Sequence, residues 1–175
     1  MTQRGPDEHP IVLDEDSFRE FYDRALPAVY GYLSKRCGGR RDIVEDLTQE
    51  TFVAAVKAMQ AGEPIGAPMA WIVTIARRRL VDHWRRQSAS LRRLAILEAT
   101  SGSRSLDPPE PASPIIAALE SLTPPHRAVL VLRYVDDLSV RDVGKLLGRS
   151  ERATESLLVR ARTALSAAYR GAAGG

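Results

Sequence analysis

Three observations predict an all-α protein built from two small helical domains. Apolar residues recur at three- and four-residue spacing through most of the chain, whereas the strict alternation of a strand is nowhere sustained. Clusters of glycine, proline and serine cut the periodic stretches into helix-sized pieces. One cluster, ATSGSRSLDPPEPASP, has the composition of a flexible or extended linker. The expected organisation is an N-terminal helical bundle at 10–98, a flexible linker at 99–113 and a C-terminal helix-turn-helix domain at 114–171, which suits a length of 175 residues.

The first helix falls in DEDSFREFYDRALPAVYGYLSKRCGG, where Asp16 or Ser17 is placed to cap it and Gly38-Gly39 to end it. Pro27 is expected to kink or divide it. Phe18, Phe21, Tyr22, Leu26, Val29, Tyr30 and Leu33 form its core stripe. A second helix fits RDIVEDLTQETFVAAVKAMQ, with Asp42 as N-cap, Glu45 completing a capping box, and Ile43, Leu47, Phe52, Val53 and Val56 as apolar positions. AGEPIGAP is a loop. A third helix starts near Pro68 and contains WIVTIARRRLVDHWRR. LRRLAILE either continues it or forms a short separate helix. Beyond the linker, IIAALESL and PPHRAVLVLRYV are short helices, the second with proline in its first turn, where proline is tolerated. LSVRDVGKLLGRSERATESLLVRARTALSAAYR supplies two more.

Net charge is only +3, but it is unevenly spread. Residues 1–69 hold 8 Lys/Arg against 12 Asp/Glu, residues 70–93 hold 7 Arg against one Asp, and residues 126–175 hold 9 Lys/Arg against 5 Asp/Glu. Two separated basic zones suggest two contacts with a polyanion. Cys37 is the only cysteine, so an internal disulfide is not expected and the cytoplasm is the natural compartment. The N-terminus lacks the apolar core of a signal peptide, and no apolar run reaches membrane-spanning length, so no direct membrane insertion is expected. His9, His83 and His126 show no ligand spacing with one another or with Cys37. With no nucleophile–base pair and no phosphate-binding glycine loop either, neither catalytic residues, a metal nor a cofactor is expected.

On a helical wheel, Met69, Ile72, Val73, Ala76, Leu80 and Trp84 fall near one face of the third helix, and Trp71 and Ile75 broaden it. Arg78, Asp82 and Arg85 lie opposite. Asp82 is spaced to pair with Arg78 and Arg86. Arg77, Arg78, Arg79, Arg85 and Arg86 repel one another, and nucleic-acid phosphate would relieve that strain. Trp84, beside two of these arginines, could stack on an unpaired base or belong to the core.

The stretch LSVRDVGKLLGRSERATESLLVRAR has the layout of a helix-turn-helix. Ser139 caps its first helix, Val140, Val143 and Leu147 face inward, Gly148 makes the turn and Ser150 caps the second helix. Ala153, Leu157, Leu158, Ala161 and Leu165 form the inner stripe of that second helix. Glu151, Arg152, Glu155 and Ser156 are then exposed where such a helix enters the major groove. Arg152 could pair with guanine edges and Ser156 with bases or phosphate. Arg149, Arg160 and Arg162 are placed for phosphates.

Three segments in order, DLTQETF at 46–52, AWIVTIARRRLVDHWRR at 70–86 and the helix-turn-helix at 138–162, resemble the extracytoplasmic-function (ECF) sigma factors, the two-domain class of bacterial RNA polymerase sigma subunits. The resemblance spans nearly all of residues 17–168. It implies that the N-terminal domain binds the promoter −10 element and the C-terminal domain the −35 element. It implies that Asp46, Leu47, Gln49, Glu50 and Phe52 contact the β′ clamp of core RNA polymerase, with a further contact to the β flap. The loop carrying Glu63 would cradle a flipped −10 base. Arg77, Arg78, Arg79, Trp84, Arg85 and Arg86 would hold the separated strand, and Arg149, Ser150, Glu151, Arg152, Glu155, Ser156 and Arg160 would meet the −35 element. An anti-sigma factor is an implied partner. The linker's Asp107 and Glu110 are compatible with nucleic-acid mimicry.

The chain departs from the family at two places. Arg77-Arg78 stands where an Arg-Asn pair is frequent. Glu155 and Leu157 stand where two positive charges are frequent, which implies a weaker phosphate grip or a changed −35 preference in which Glu155 accepts from a cytosine amine. The alternatives are an autonomous helix-turn-helix regulator that binds duplex DNA without polymerase, and a helical adaptor whose arginines are merely surface.

Overall fold

A computed structural model of the chain describes residues 15–38, 40–63, 65–98 and 113–173, all of them in helices, turns or loops. Among the described residues, seven α-helices and one π-helical segment follow in order: α1 (Glu15–Ser34), α2 (Arg41–Gln60), α3 (Pro68–Glu98), α4 (Pro114–Ser121), α5 (Pro124–Leu130), the π segment (Val131–Val135), α6 (Val140–Leu147) and α7 (Glu151–Ala173). Packing divides the chain inside α3, between Leu80 and Val81. The expected linker lies outside the described residues except for Ser113, the cap of α4.

In the first unit, α1 packs on α2. Phe21, Ala25, Val29 and Leu33 are buried along α1 at the expected spacing, while Phe18, Tyr22, Leu26 and Tyr30 are half-buried. Pro27 lies inside α1 without dividing it, on an exposed part of the surface. Asp16 and Ser17, expected as caps, lie inside the helix, which is described from Glu15 onward. The N-cap of α2 is Arg40 rather than Asp42, so the expected capping box does not form. Helix α2 starts two residues early, and its acidic residues serve other partners. Asp42 sits in the first turn, where the helix dipole favours a negative charge, and accepts from Arg40 at 3.1 Å. Glu45 pairs with Arg41 at 2.7 Å.

The buried face of α2 also differs from expectation. Val44, Thr48, Thr51 and Ala55 join Leu47 and Phe52 in the core, whereas Val53 is 47% exposed. The two threonines are admitted because each hydroxyl donates to a carbonyl one turn back, Thr48 to Val44 at 2.7 Å and Thr51 to Leu47 at 2.6 Å. Along α3, Ile72, Ile75, Ala76 and Leu80 are buried as the wheel requires, and Met69, expected inside, is exposed. Helix α3 runs unbroken through LRRLAILE.

In the second unit, α4, α5 and α6 all pack against α7. Ser113 caps α4 by accepting from the Ile116 amide. Arg127 of α5 closes the other end of α4, donating through Nε to the Leu119 carbonyl at 2.9 Å and through its terminal nitrogen to the Glu120 carbonyl. The stretch expected as one helix, PPHRAVLVLRYV, is α-helical only to Leu130. The π segment then widens the turn, and Asp137 follows with a φ of +51°. Arg133 pins this corner by donating to the Leu138 carbonyl at 3.1 Å.

Candidate functional site

Helix α6 begins at Ser139, whose Oγ accepts from the Asp142 amide at 3.1 Å and donates to the Asp142 carboxylate at 2.6 Å. That hydroxyl, and then the Lys145 ammonium at 3.3 Å, hold the Asp142 carboxyl below its ordinary range. Helix α6 ends at Gly148, whose φ of +64° is costly for a residue with a Cβ. Ser150 then starts α7, its Oγ accepting from the Ala153 amide at 3.2 Å. Val143, Leu157, Leu158 and Ala161 are buried between the helices, with Val140, Leu147, Ala153 and Leu165 half-buried. This is the geometry of a helix-turn-helix.

Two residues that set this geometry escaped sequence reasoning. Thr154 is fully buried, its Oγ1 donating to the Ser150 carbonyl at 2.9 Å. A Cβ on Gly144 would lie 2.9 Å from the Arg149 carbonyl oxygen and 3.0 Å from Thr154 Oγ1, so α6 can approach the start of α7 only because position 144 has no side chain. The available signal was a glycine four residues before the turn glycine, within an otherwise amphipathic helix.

Each residue expected at the outer surface of this motif is exposed: Arg149, Ser150, Glu151, Arg152, Glu155, Ser156 and Arg160, with Arg162 beyond them. They differ in what remains free. Ser156 donates its hydroxyl to the Arg152 carbonyl at 3.0 Å, and Ser150 is occupied as a cap. Arg160 Nε reaches the Ser156 carbonyl at 3.3 Å, which orients its guanidinium along the helix. Leu157 is buried, as its place in the inner stripe requires, so the charge frequent at that position in the family is replaced by a core contact.

In the first unit, Asp46 and Gln49 are exposed on α2 and Glu50 is half-buried. Leu47 and Phe52 are buried and hold α2 in place. Beside the exposed pair runs an apolar groove lined by Tyr22, Leu26 and Tyr30 of α1 and by Thr48, Phe52 and Val53 of α2. The rings of Tyr22 and Phe52 lie 4.6 Å apart in its floor. Glu63 is exposed in the loop after α2, and the neighbouring Ile65 is buried and anchors that loop.

Along α3, Arg78, Arg85 and Arg86 are exposed and Arg77 and Arg79 half-buried. Asp82 pairs with Arg85 at 3.9 Å, three residues on, and not with Arg78 as the four-residue spacing suggested. Arg85 also donates to the carbonyl of Leu146 in the last turn of α6, which draws it towards the helix-turn-helix corner. Trp84 is 3% exposed. It lines a small cleft with Pro124, Pro125, Ala128, Leu147 and Leu157, so in this conformation its indole is core and is not presented to a base.

A helix-turn-helix with guanidiniums on the outer face of its second helix, preceded by an amphipathic helix bearing a run of arginines, is the arrangement of a DNA-binding protein. The Sigma-70 region 2 model matches residues 21–90 and the Sigma-70 region 4 model matches residues 113–165. Helices α1 to α3 thus carry the first region and α4 to α7 the second. The chain is 33% identical over 163 residues to the ECF RNA polymerase sigma factor SigF of Caulobacter vibrioides, covering 92% of this chain and 90% of that one. It is 34% identical over 165 residues to the ECF RNA polymerase sigma factor BldN of Streptomyces coelicolor, spanning 85% of this chain and only 58% of BldN. Among solved structures, the sigma factor RpoE of Bartonella quintana, determined in complex with the anti-sigma factor NepR, shares the fold with a TM-score of 0.53 at 21% identity, over 89% of this chain and 98% of that one. The chain belongs to the ECF RNA polymerase sigma factors, a non-enzymatic family.

Proposed function

We propose that this protein binds core RNA polymerase and directs it to promoters, with the work divided among three surfaces. The exposed Asp46 and Gln49 with Glu50, backed by the buried Leu47 and Phe52, form the contact to the β′ clamp, and the C-terminal helices meet the β flap. Glu63 and the arginines at 77, 78, 79, 85 and 86 engage the −10 element as its strands part. The outer face of α7, from Arg149 to Arg160, engages the −35 element. Residues 10–98 and 114–171 are the two functional domains, and the protein works in the cytoplasm. Among the described residues no helix is long and apolar enough to cross a membrane.

The observation that carries this reading is the exposed outer face of α7 within a two-region sigma-70 chain. Helix α3 supports it by keeping one face buried and Arg78, Arg85 and Arg86 on the other. Strand separation in this scheme is driven by binding free energy, since phosphate contacts and a captured base offset the stacking lost on melting. Trp84 and Arg85 reach DNA only after leaving the partners they have here. The family relationship supports an anti-sigma factor as a further partner, as for the Bartonella protein.

Run-off transcription with purified core polymerase tests the proposal. Wild-type protein is expected to yield discrete start sites on genomic fragments. Arg78→Ala with Arg85→Ala is expected to lower their yield by about tenfold or more, the loss of two charge-assisted contacts. No protein-dependent starts would sink the sigma reading, and full-strength starts from the double variant would sink the role of α3. Tight binding to duplex promoter DNA without polymerase would favour an autonomous regulator instead.

A further inference from the structure

One residue on the recognition surface has the wrong charge for it. Outward-facing Arg149, Arg152, Arg160 and Arg162 suit a polyanion, yet Glu155 stands exposed among them. Structural explanations for a carboxylate there fail in turn. Glu151, one turn earlier, occupies the first turn of α7 and suits the positive end of the helix dipole, whereas Glu155 lies beyond that turn. No ion pair or hydrogen bond to Glu155 is formed among the described residues. The residue four positions before it is Glu151, a like charge, and the residue four positions after it is Val159, which offers no donor. Glu155 caps nothing and buries nothing.

Docked against DNA, such a carboxylate is repelled by phosphate and by every acceptor at a base edge. The major groove offers only two kinds of donor, the N4 amine of cytosine and the N6 amine of adenine. The adenine amine stands beside the N7 acceptor of the same base, which opposes a carboxylate, so cytosine is the better match. Resting on the reading of α7 as the −35 recognition helix, we propose that Glu155 determines sequence specificity by accepting a hydrogen bond from a cytosine amine. The discriminated C·G pair lies next to the base pair met by Arg152, which is three residues away on the same face. Ser156, its hydroxyl spent on the Arg152 carbonyl, contributes less than its exposure suggests. The carboxylate also acts by exclusion. A guanine or thymine at that strand position presents only acceptors and leaves Glu155 desolvated against like charge.

The test is in vitro transcription by core polymerase with full-length protein, from a promoter library randomised across the −35 element and read by sequencing of the transcripts. Wild-type protein is expected to favour cytosine at one position by about fivefold or more. Glu155→Gln should shift that position towards adenine, whose N6 and N7 an amide can engage together. Glu155→Ala should flatten it, and Glu155→Lys should raise use of all sequences while steepening the salt dependence. Because Glu155 is exposed, all three variants are expected to keep wild-type helicity by circular dichroism. Wild-type starts with no cytosine preference, or a preference unchanged in Glu155→Gln and Glu155→Ala, would overturn the role of Glu155 and leave the sigma assignment standing. No wild-type starts on any template would overturn the sigma assignment and this role with it.

Discussion

Gly144 shows how much of the recognition surface depends on a side chain that is missing. The atoms that a Cβ would meet are a backbone carbonyl and the hydroxyl of the buried Thr154, neither of which can swing away as the tip of a flexible side chain would. Gly144→Val should therefore force α6 and α7 apart and destabilise the C-terminal unit by about 1–3 kcal/mol, seen as a lowered urea midpoint. Gly171→Ala is the control. It lies in α7 with nothing within 4 Å of the added carbon, so it should be neutral or slightly stabilising. An unchanged midpoint in Gly144→Val would mean that the two helices are not this close. The same scale separates surface from scaffold in the segment proposed to meet the polymerase. Asp46 and Gln49 are free to bind, and Leu47 and Phe52 position them.

At the scale of elements, the arginines of the C-terminal half do two kinds of work that composition cannot separate. Arg127 and Arg133 tie helix ends and corners together through backbone carbonyls, while Arg149, Arg152, Arg160 and Arg162 face outward. Helix α5 contributes a pH response. Burial, and then the charge of Arg160, hold His126 below its ordinary value of 6.5. Its folded pKa is thus depressed, and the unfolded chain takes up the proton first. The stability it supports is complete above about pH 6.5 and is lost as pH falls through that value towards the folded pKa. The melting temperature should fall between about pH 7 and pH 5, and fall less in His126→Gln. Equal pH slopes for the two proteins would show that His126 is solvated like a free imidazole.

At the scale of the whole molecule, the division between the two packed units falls inside α3. Its first residues pack with the N-terminal helices, as in the contact of Trp71 with Phe21 at 6.5 Å between ring centres, and its residues from Val81 onward group with the second unit. Trp84 reports on the packing of the second unit. In a Trp71→Phe variant it is the sole indole, and its burial predicts blue-shifted emission and weak quenching by acrylamide in the free protein. Emission typical of a water-exposed indole would contradict the packing. If Trp84 and Arg85 engage an opened promoter, the same emission should change on adding core polymerase and promoter DNA together.

The amino-acid sequence was enough to indicate the helical segments in their order, the turn at Gly148, the caps at Ser139 and Ser150 and the outward face of α7. These follow from periodicity and from backbone demands that are local to a few residues. The resemblance of three ordered segments was enough to indicate the sigma factor family. Only the tertiary structure decided that Trp84 is core, that Asp82 serves Arg85, that Val53 is exposed and that Gly144 must stay bare. Arg40 capping α2 in place of Asp42, and the π turn after Leu130, belong to the same group. Each depends on which neighbour arrives from elsewhere in the chain. A helical wheel gives the direction of a side chain and says nothing of what stands opposite it, and that opposing surface decides whether an apolar residue is buried or an arginine is spent.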